Sequence, residues 1–252
     1  MLFFSIFAII KEIKGGIMQR YFAKEKKENE FILYEQDCHH IKNVMRFKID
    51  DTIEVVYENI VHICNIVSLE PLKLSIIKTI NENNELPLNL TVAISLVNEQ
   101  KFDLIIQKLT ELGVSKIIPI ETTRSIIKLD KKRMTKKITR WQTICKEASE
   151  QSKRTKVPEI TSIIPLKNLK RETSNLKILC SLNELSQPLD TYLKESISSI
   201  LFVIGPEGGF TDEEETYLIQ NNFKSVSLGK RVMRVETAAI YVASIINYVY
   251  RG

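Results

Sequence analysis

Glycine is scarce in this chain, with eight among 252 residues, and cysteine is scarcer, with four. The cysteines, Cys38, Cys64, Cys145 and Cys180, are scattered and form no C-x-x-C pair. In a lysine-rich chain without a clear export signal they read as reduced cytoplasmic thiols, which excludes a disulfide framework. Cys38-His39-His40 matches no zinc spacing, so no metal is expected. No apolar run approaches the roughly 20 residues that span a bilayer. The apolar residues 2–10 lack the basic flank and small-residue cleavage site of a signal peptide. Residues 1–17 therefore read as an extension ahead of Met18-Gln19-Arg20-Tyr21-Phe22, with a membrane anchor as the alternative. Also missing are a G-x-G-x-x-G fingerprint and a G-K-[ST] phosphate loop, which leaves nicotinamide and nucleoside triphosphate readings without support.

Charge is unevenly placed. The net charge is +5, yet residues 124–156 hold twelve Lys/Arg against three Asp/Glu, a local net of +9. The remainder holds 24 basic and 28 acidic residues. A solvated helix face would account for such a run. A stripe that releases counterions from nucleic acid accounts better for basicity confined to one segment.

The period of the apolar residues divides the chain. Residues 31–34, the alternating Ile53, Val55 and Tyr57, and residues 61–67 and 72–80 are short strand signals at close spacing, as in a small barrel. Residues 37–45 read as one short helix between them. The polar stretch 81–87 ends at Pro87 and breaks every period, which places a boundary there. Beyond it, the continuous apolar run 90–96 predicts a buried parallel strand. Phe102, Ile105, Leu109 and Leu112 recur at helical spacing, with Gly113 as a C-cap. Strands are expected at 117–120, 177–181, 200–204 and 225–228, a long helix through Trp141 to about Ser152, and a last helix over 235–250. Alternating strands and helices imply an α/β domain with a mainly parallel sheet.

Half of the glycines, Gly205, Gly208, Gly209 and Gly229, fall within 25 residues. Such clustering marks backbone that bends unusually or meets a ligand closely. Gly205-Pro206-Glu207-Gly208-Gly209 follows an apolar strand and precedes Thr211-Asp212-Glu213-Glu214, a capping box that opens a helix. The loop thus lies at a strand's carboxyl end, where open α/β sheets bind ligands. The second cluster, Leu228-Gly229-Lys230-Arg231-Val232-Met233-Arg234-Val235-Glu236-Thr237-Ala238, runs through a basic loop into a helix dense in small residues.

Together these two stretches resemble the ribosomal small-subunit RNA uracil-N(3) methyltransferase family of the SPOUT superfamily. Met18-Gln19-Arg20-Tyr21-Phe22, Gln107-Lys108-Leu109-Thr110-Glu111-Leu112-Gly113-Val114, Arg140-Trp141, Glu147-Ala148-Ser149-Glu150-Gln151-Ser152 and Arg154 resemble it too. The resemblance runs from Met18 to the carboxyl terminus. It implies a PUA-like β-barrel RNA-binding domain over 18–83 and a trefoil-knotted α/β methyltransferase domain over 88–252, acting as a cytoplasmic homodimer on 16S ribosomal RNA. The chain departs from the family at Asn98 and Glu99, where Lys and Gly are usual. It departs also at Lys153, where Gly is frequent, and at Val235, where Thr is common.

The implied cofactor is S-adenosyl-L-methionine, held by Gly205, Glu207, Gly208, Gly209, Leu228, Gly229, Val232, Met233, Arg234, Thr237 and Ala238. Uridine nitrogen 3 carries a proton near neutral pH and must lose it to accept a methyl group, so cations beside the base favour the reaction. Arg154 and Arg234 are the candidates for that task. Glu207 is either a proton acceptor or a loop-fixing residue, and Gln151 is a candidate reader of the base edge. Arg20, Arg124, Lys132, Lys136 and Lys137 are expected to bind phosphate. The same fold could instead methylate a ribose 2′-hydroxyl, and a barrel with a basic stripe could serve a non-catalytic ribosome-assembly protein.

Overall fold

A computed structural model of the chain describes residues 18–28, 30–125, 131–184, 187–193 and 196–251, with Lys131 and Lys132 described by their backbone alone. The extension over 1–17 and its apolar run lie outside the described residues. The chain falls into two compact units that divide between Asn84 and Glu85.

In the first unit, β1 (Arg20–Lys27), β2 (Glu30–Leu33), β3 (Thr52–Tyr57), β4 (Ile60–Leu69) and β5 (Leu72–Ile80) form one sheet in the order β2-β1-β3-β4-β5. Alternation builds it: Ile53 and Val55 turn inward with Tyr21, Phe31, Leu33, Cys64, Ile66 and Leu74. Glu58 and Asn59, at φ 50° and 65°, make the two-residue turn from β3 to β4, whose hand suits the strand twist. The outer strands β2 and β5 approach each other, so the sheet curls toward a barrel. The short helix begins at α1 (Glu35–His39), earlier than expected, and continues as one π turn over His40–Val44 that sinks Ile41 into the core. β1 is not foreseen by alternation. Its sequence RYFAKEKK carries five charges, and only Arg20 and Tyr21 are fully buried.

The second unit has a parallel sheet in the order β12-β10-β11-β6-β7-β8, with the two-residue β9 also paired to β7. Its strands are β6 (Asn89–Ser95), β7 (Lys116–Glu121), β8 (Glu159–Ile160), β9 (Ile164–Pro165), β10 (Leu176–Cys180), β11 (Ser199–Ile204) and β12 (Lys224–Val226). The central runs are apolar throughout because both faces are covered. Leu90, Val92, Ile94, Phe202 and Ile204 face one core, built with α2 (Glu99–Glu111), α3 (Lys131–Gln151) and α5 (Val235–Tyr250). Ala93, Ile118, Leu201 and Val203 face the other, with α4 (Asp212–Gln220) and a 3-10 segment, Leu166–Arg171. Asn98 caps α2 by accepting from the Lys101 amide at 2.9 Å. Thr211 and Glu214 form the expected capping box on α4. Among the described residues no helix is long and apolar enough to cross a membrane.

Candidate active site

Every pairing among β10, β11, β12, β6 and β7 is parallel, so these strands end on one edge of the sheet. The chain leaves β10, β11 and β12 there in three loops, and the three enclose a cleft of about 610 Å³. That size suits a nucleoside-sized ligand. The loop after β11 contributes Gly205, Pro206, Glu207, Gly209 and Phe210. The loop after β12 contributes Leu228 to Arg234, and the first turn of α5 adds Val235 and Ala238. Of the expected cofactor residues, Gly205, Glu207, Gly209, Leu228, Gly229, Val232, Met233, Arg234 and Ala238 therefore meet around one space. Gly208 and Thr237 do not line it. Gly208 is exposed, against the Arg124 side chain, and Thr237 is exposed on the first turn of α5.

Gly209 shows why glycine is required here. Its φ is +69°, and a Cβ would stand 3.1 Å from Leu182 Cδ1, across the cleft wall. Gly229, at φ +105°, has open space where a side chain would project. Without side chains at these positions, a ligand can approach the backbone closely. The small Ala238 likewise keeps the helix wall shallow.

The third wall, Cys180, Ser181, Leu182 and Glu184, was not anticipated, and neither were Lys101 and Glu215. The strand before that wall is legible in the sequence, but its loop has no glycine to single it out. Ser181 donates to Glu215 Oε1 at 2.7 Å, which pins the wall to α4. Lys101, in the first turn of α2, forms an ion pair with Glu207. The Lys101 hydrogen bond and charge, with Arg234 contributing, hold the Glu207 carboxyl below its ordinary range. The mouth also carries Lys230, Arg231 and Arg234, all exposed, so its rim is basic.

Two expected site residues have other surroundings. Arg154 is 3% exposed, and its guanidinium donates to Glu85 Oε2 at 3.0 Å and to the carbonyls of Thr110 and Val114 at 2.9 and 2.7 Å. Glu85 also receives the amides of Thr155 and Lys156. The Arg154 guanidinium thereby covers the carboxyl end of α2 and does not line the cleft of its own chain. Arg20 is 1% exposed and ion-paired with Glu54 and Glu82, a setting that withholds it from phosphate. Gln151 is exposed at the end of α3 and is not among the residues that line the cleft. Lys136 is exposed, Lys137 pairs with Glu99 at 3.0 Å, and the Lys132 side chain lies outside the described residues. Arg124 Nη1 donates to the carbonyls of Gly208 and Phe210.

Comparison with known proteins agrees with this geometry. The RNA methyltransferase domain family matches residues 84–247, more than half of the chain, and the RNA methyltransferase PUA domain family matches residues 33–78. The ribosomal RNA small subunit methyltransferase E of Bacillus subtilis is 36% identical over 247 residues, covering 92% of this chain and 96% of that protein. Its namesake from Aquifex aeolicus is 32% identical, over 91% of this chain and 99% of its own. The crystal structure of the Neisseria gonorrhoeae ribosomal RNA small subunit methyltransferase E, bound to S-adenosyl methionine, superposes with a TM-score of 0.84 at 29% identity, over 93% of this chain and 98% of that one. A Legionella pneumophila methyltransferase solved with the same cofactor gives a TM-score of 0.85 at 28% identity, over 92% and 98%. With matches of this identity and extent, the chain belongs to the ribosomal RNA small subunit methyltransferase E family.

Proposed function

We propose that the cleft binds S-adenosyl-L-methionine and that the chain transfers its methyl group to ring nitrogen 3 of a uridine in small-subunit ribosomal RNA. The observation that carries the reading is the meeting of the 205–209 and 228–234 loops around one cleft at the carboxyl edge of the parallel sheet. The residues present fit the cofactor: the positive-φ Gly209 and Gly229 offer bare backbone, and Ala238 leaves room beside it. When bound, S-adenosyl-L-methionine supplies an electrophilic methyl group on sulfur, so the protein's task is to hold the acceptor in line and deprotonated. Arg234, exposed at the mouth and opening α5, is the cation placed to favour the uridine anion. Lys101 and Glu207 fix the glycine loop, and the rim lysines and arginines meet the RNA backbone. The amino-terminal unit serves as a further RNA-binding surface. The enzyme works in the cytoplasm as a homodimer that buries the exposed side of α5.

The direct test gives purified protein labelled S-adenosyl-L-methionine and small-subunit RNA lacking the modification. Label recovered in 3-methyluridine supports the proposal. Label in a 2′-O-methylated nucleoside would move the target to ribose, and cofactor binding without any transfer would favour an assembly role.

A further inference from the structure

The turn after β7 is built as a clamp on the glycine loop. Thr122 and Ser125 close that turn through Oγ–Oγ contact at 2.7 Å, with the Ser125 amide donating to the Thr122 carbonyl at 3.1 Å. Between them, Thr123 and Arg124 reach across to the other segment. The Glu214 carboxylate receives the Thr211 amide on Oε2 at 3.0 Å, the ordinary capping-box contact. Its second oxygen, Oε1, receives both the amide and the hydroxyl of Thr123, at 2.7 and 3.0 Å. A helix cap next to the glycine loop is thus tied to β7 across 91 positions of sequence. Arg124 Nη1 then bridges the carbonyls of Gly208 at 2.7 Å and Phe210 at 3.0 Å. Those carbonyls flank Gly209, the residue at φ +69° whose amide donates to the Pro206 carbonyl at 2.9 Å. One guanidinium therefore holds the Gly208–Gly209 and the Phe210–Thr211 peptide planes, one entering and one just beyond the left-handed Gly209.

We infer that Thr123 and Arg124 are positioning residues that hold the 205–210 loop in its ligand-ready shape, and that Arg124 spends its charge on this loop instead of on RNA phosphate. The inference rests on the cofactor reading of the cleft. Its physical basis is preorganisation. A loop rich in glycine loses more freedom on ordering than other loops do, and a loop ordered before the ligand arrives does not oppose binding with that loss. The hydrogen bonds come from a charged donor and to a charged acceptor, the stronger class. Losing either arm should weaken cofactor binding about tenfold or more.

The test uses the full chain with Arg124→Gln and, as a neutral and milder change, Thr123→Val. Hydrogen exchange without cofactor is expected to show faster exchange of the 205–210 amides in both variants. Calorimetry is expected to show S-adenosyl-L-methionine binding weakened about tenfold or more in Arg124→Gln and by less in Thr123→Val, whose backbone amide still donates to Glu214. Steady-state kinetics are expected to show a raised KM for the cofactor with kcat at saturation nearly unchanged. The salt dependence of RNA binding is expected to match wild type. Unchanged loop exchange and cofactor affinity in either variant, with an RNA salt slope lowered by about 0.7–0.9 in Arg124→Gln, would overturn the inference and make Arg124 a phosphate contact. Wild-type protein that binds no cofactor, with the loop still loosened in the variants, would instead remove the cofactor reading and with it the purpose assigned to the clamp.

Discussion

Lys153 follows the last turn of α3 in a left-handed conformation, φ 60°. The Arg154 amide donates to the Ser149 carbonyl at 2.9 Å and the Lys153 amide to the Glu150 carbonyl at 3.4 Å, the paired bonds of a Schellman cap. Glycine adopts this geometry without the strain that a lysine bears. Lys153→Gly is therefore expected to raise stability by about 0.5–1 kcal/mol, seen as a small rise in Tm by calorimetry. A lower Tm would mean that the lysine side chain contributes more than its backbone costs. Glu207 poses the second question at this scale. Lys101 and Arg234 favour its charged form, so its pKa is depressed and the carboxylate persists as pH falls below the ordinary carboxyl range. The ion pair with Lys101 is intact at neutral pH and is lost only as pH drops through that lowered value. A proton acceptor needs the opposite shift, toward the working pH. Glu207→Gln is expected to keep kcat within about tenfold and to leave the acid limb of the pH–rate profile in place, since removal of a true general base costs about a hundredfold or more.

The elements divide by how their sequences advertise them. Buried parallel strands such as β6 and β11 are continuous apolar runs, and α2 shows a clean helical period, so both are legible from sequence. β1 is hidden because its charges belong to a strand whose partners, not its own alternation, hold it in place. The third cleft wall is hidden because polar loop residues between β10 and the following turn carry no unusual backbone signal. α3 illustrates a different limit. Its positive charge is plain in the sequence, but part of that charge is answered within the chain: Lys137 by Glu99, Arg140 by Asp103 at 2.7 Å and Lys146 by Glu150 at 2.7 Å. The partly exposed pairs of Lys137 and Arg140 contribute little to stability and can be exchanged for phosphate, whereas Glu150, the partner of Lys146, is buried. Changing Lys132, Lys136 and Lys137 together to Ala is expected to flatten the log–log salt dependence of RNA affinity by about two units while leaving cofactor affinity alone. An unchanged slope would make the segment a solvated face. α5 carries the last signal at this scale. It buries Val235, Ala238, Ala239, Val242, Ala243 and Ile246 yet exposes Tyr241, Tyr248 and Val249, with Tyr248 67% exposed. An apolar helix with an uncovered side suits a two-fold interface. Tyr248→Glu is expected to convert a dimer into a monomer in light scattering, and a monomeric wild type that is fully active would contradict the assembly proposed for it.

In the whole molecule, the two glycine-marked loops that stand out in the sequence meet around one cleft at the carboxyl edge of the parallel sheet. The polar stretch at 81–87 contains the division between the two units, and the change of apolar period on either side follows the change from a curled sheet to a parallel one. What sequence could not supply is which cations face a ligand. Arg20 is expected from sequence to bind phosphate and Arg154 to stand beside the uridine, yet both are buried and paired with carboxylates distant in sequence. Long-range pairing of that kind leaves no local pattern. In the function proposed above, this chain places a methyl group on nitrogen 3 of a small-subunit ribosomal uridine through the cleft beside Gly209. Nucleoside mass spectrometry of small-subunit RNA from a strain lacking the gene tests it most directly. 3-Methyluridine is expected to disappear, to return with the wild-type gene and to fail to return with Gly209→Val. Small-subunit RNA that keeps its full 3-methyluridine content in the deletion strain would contradict it.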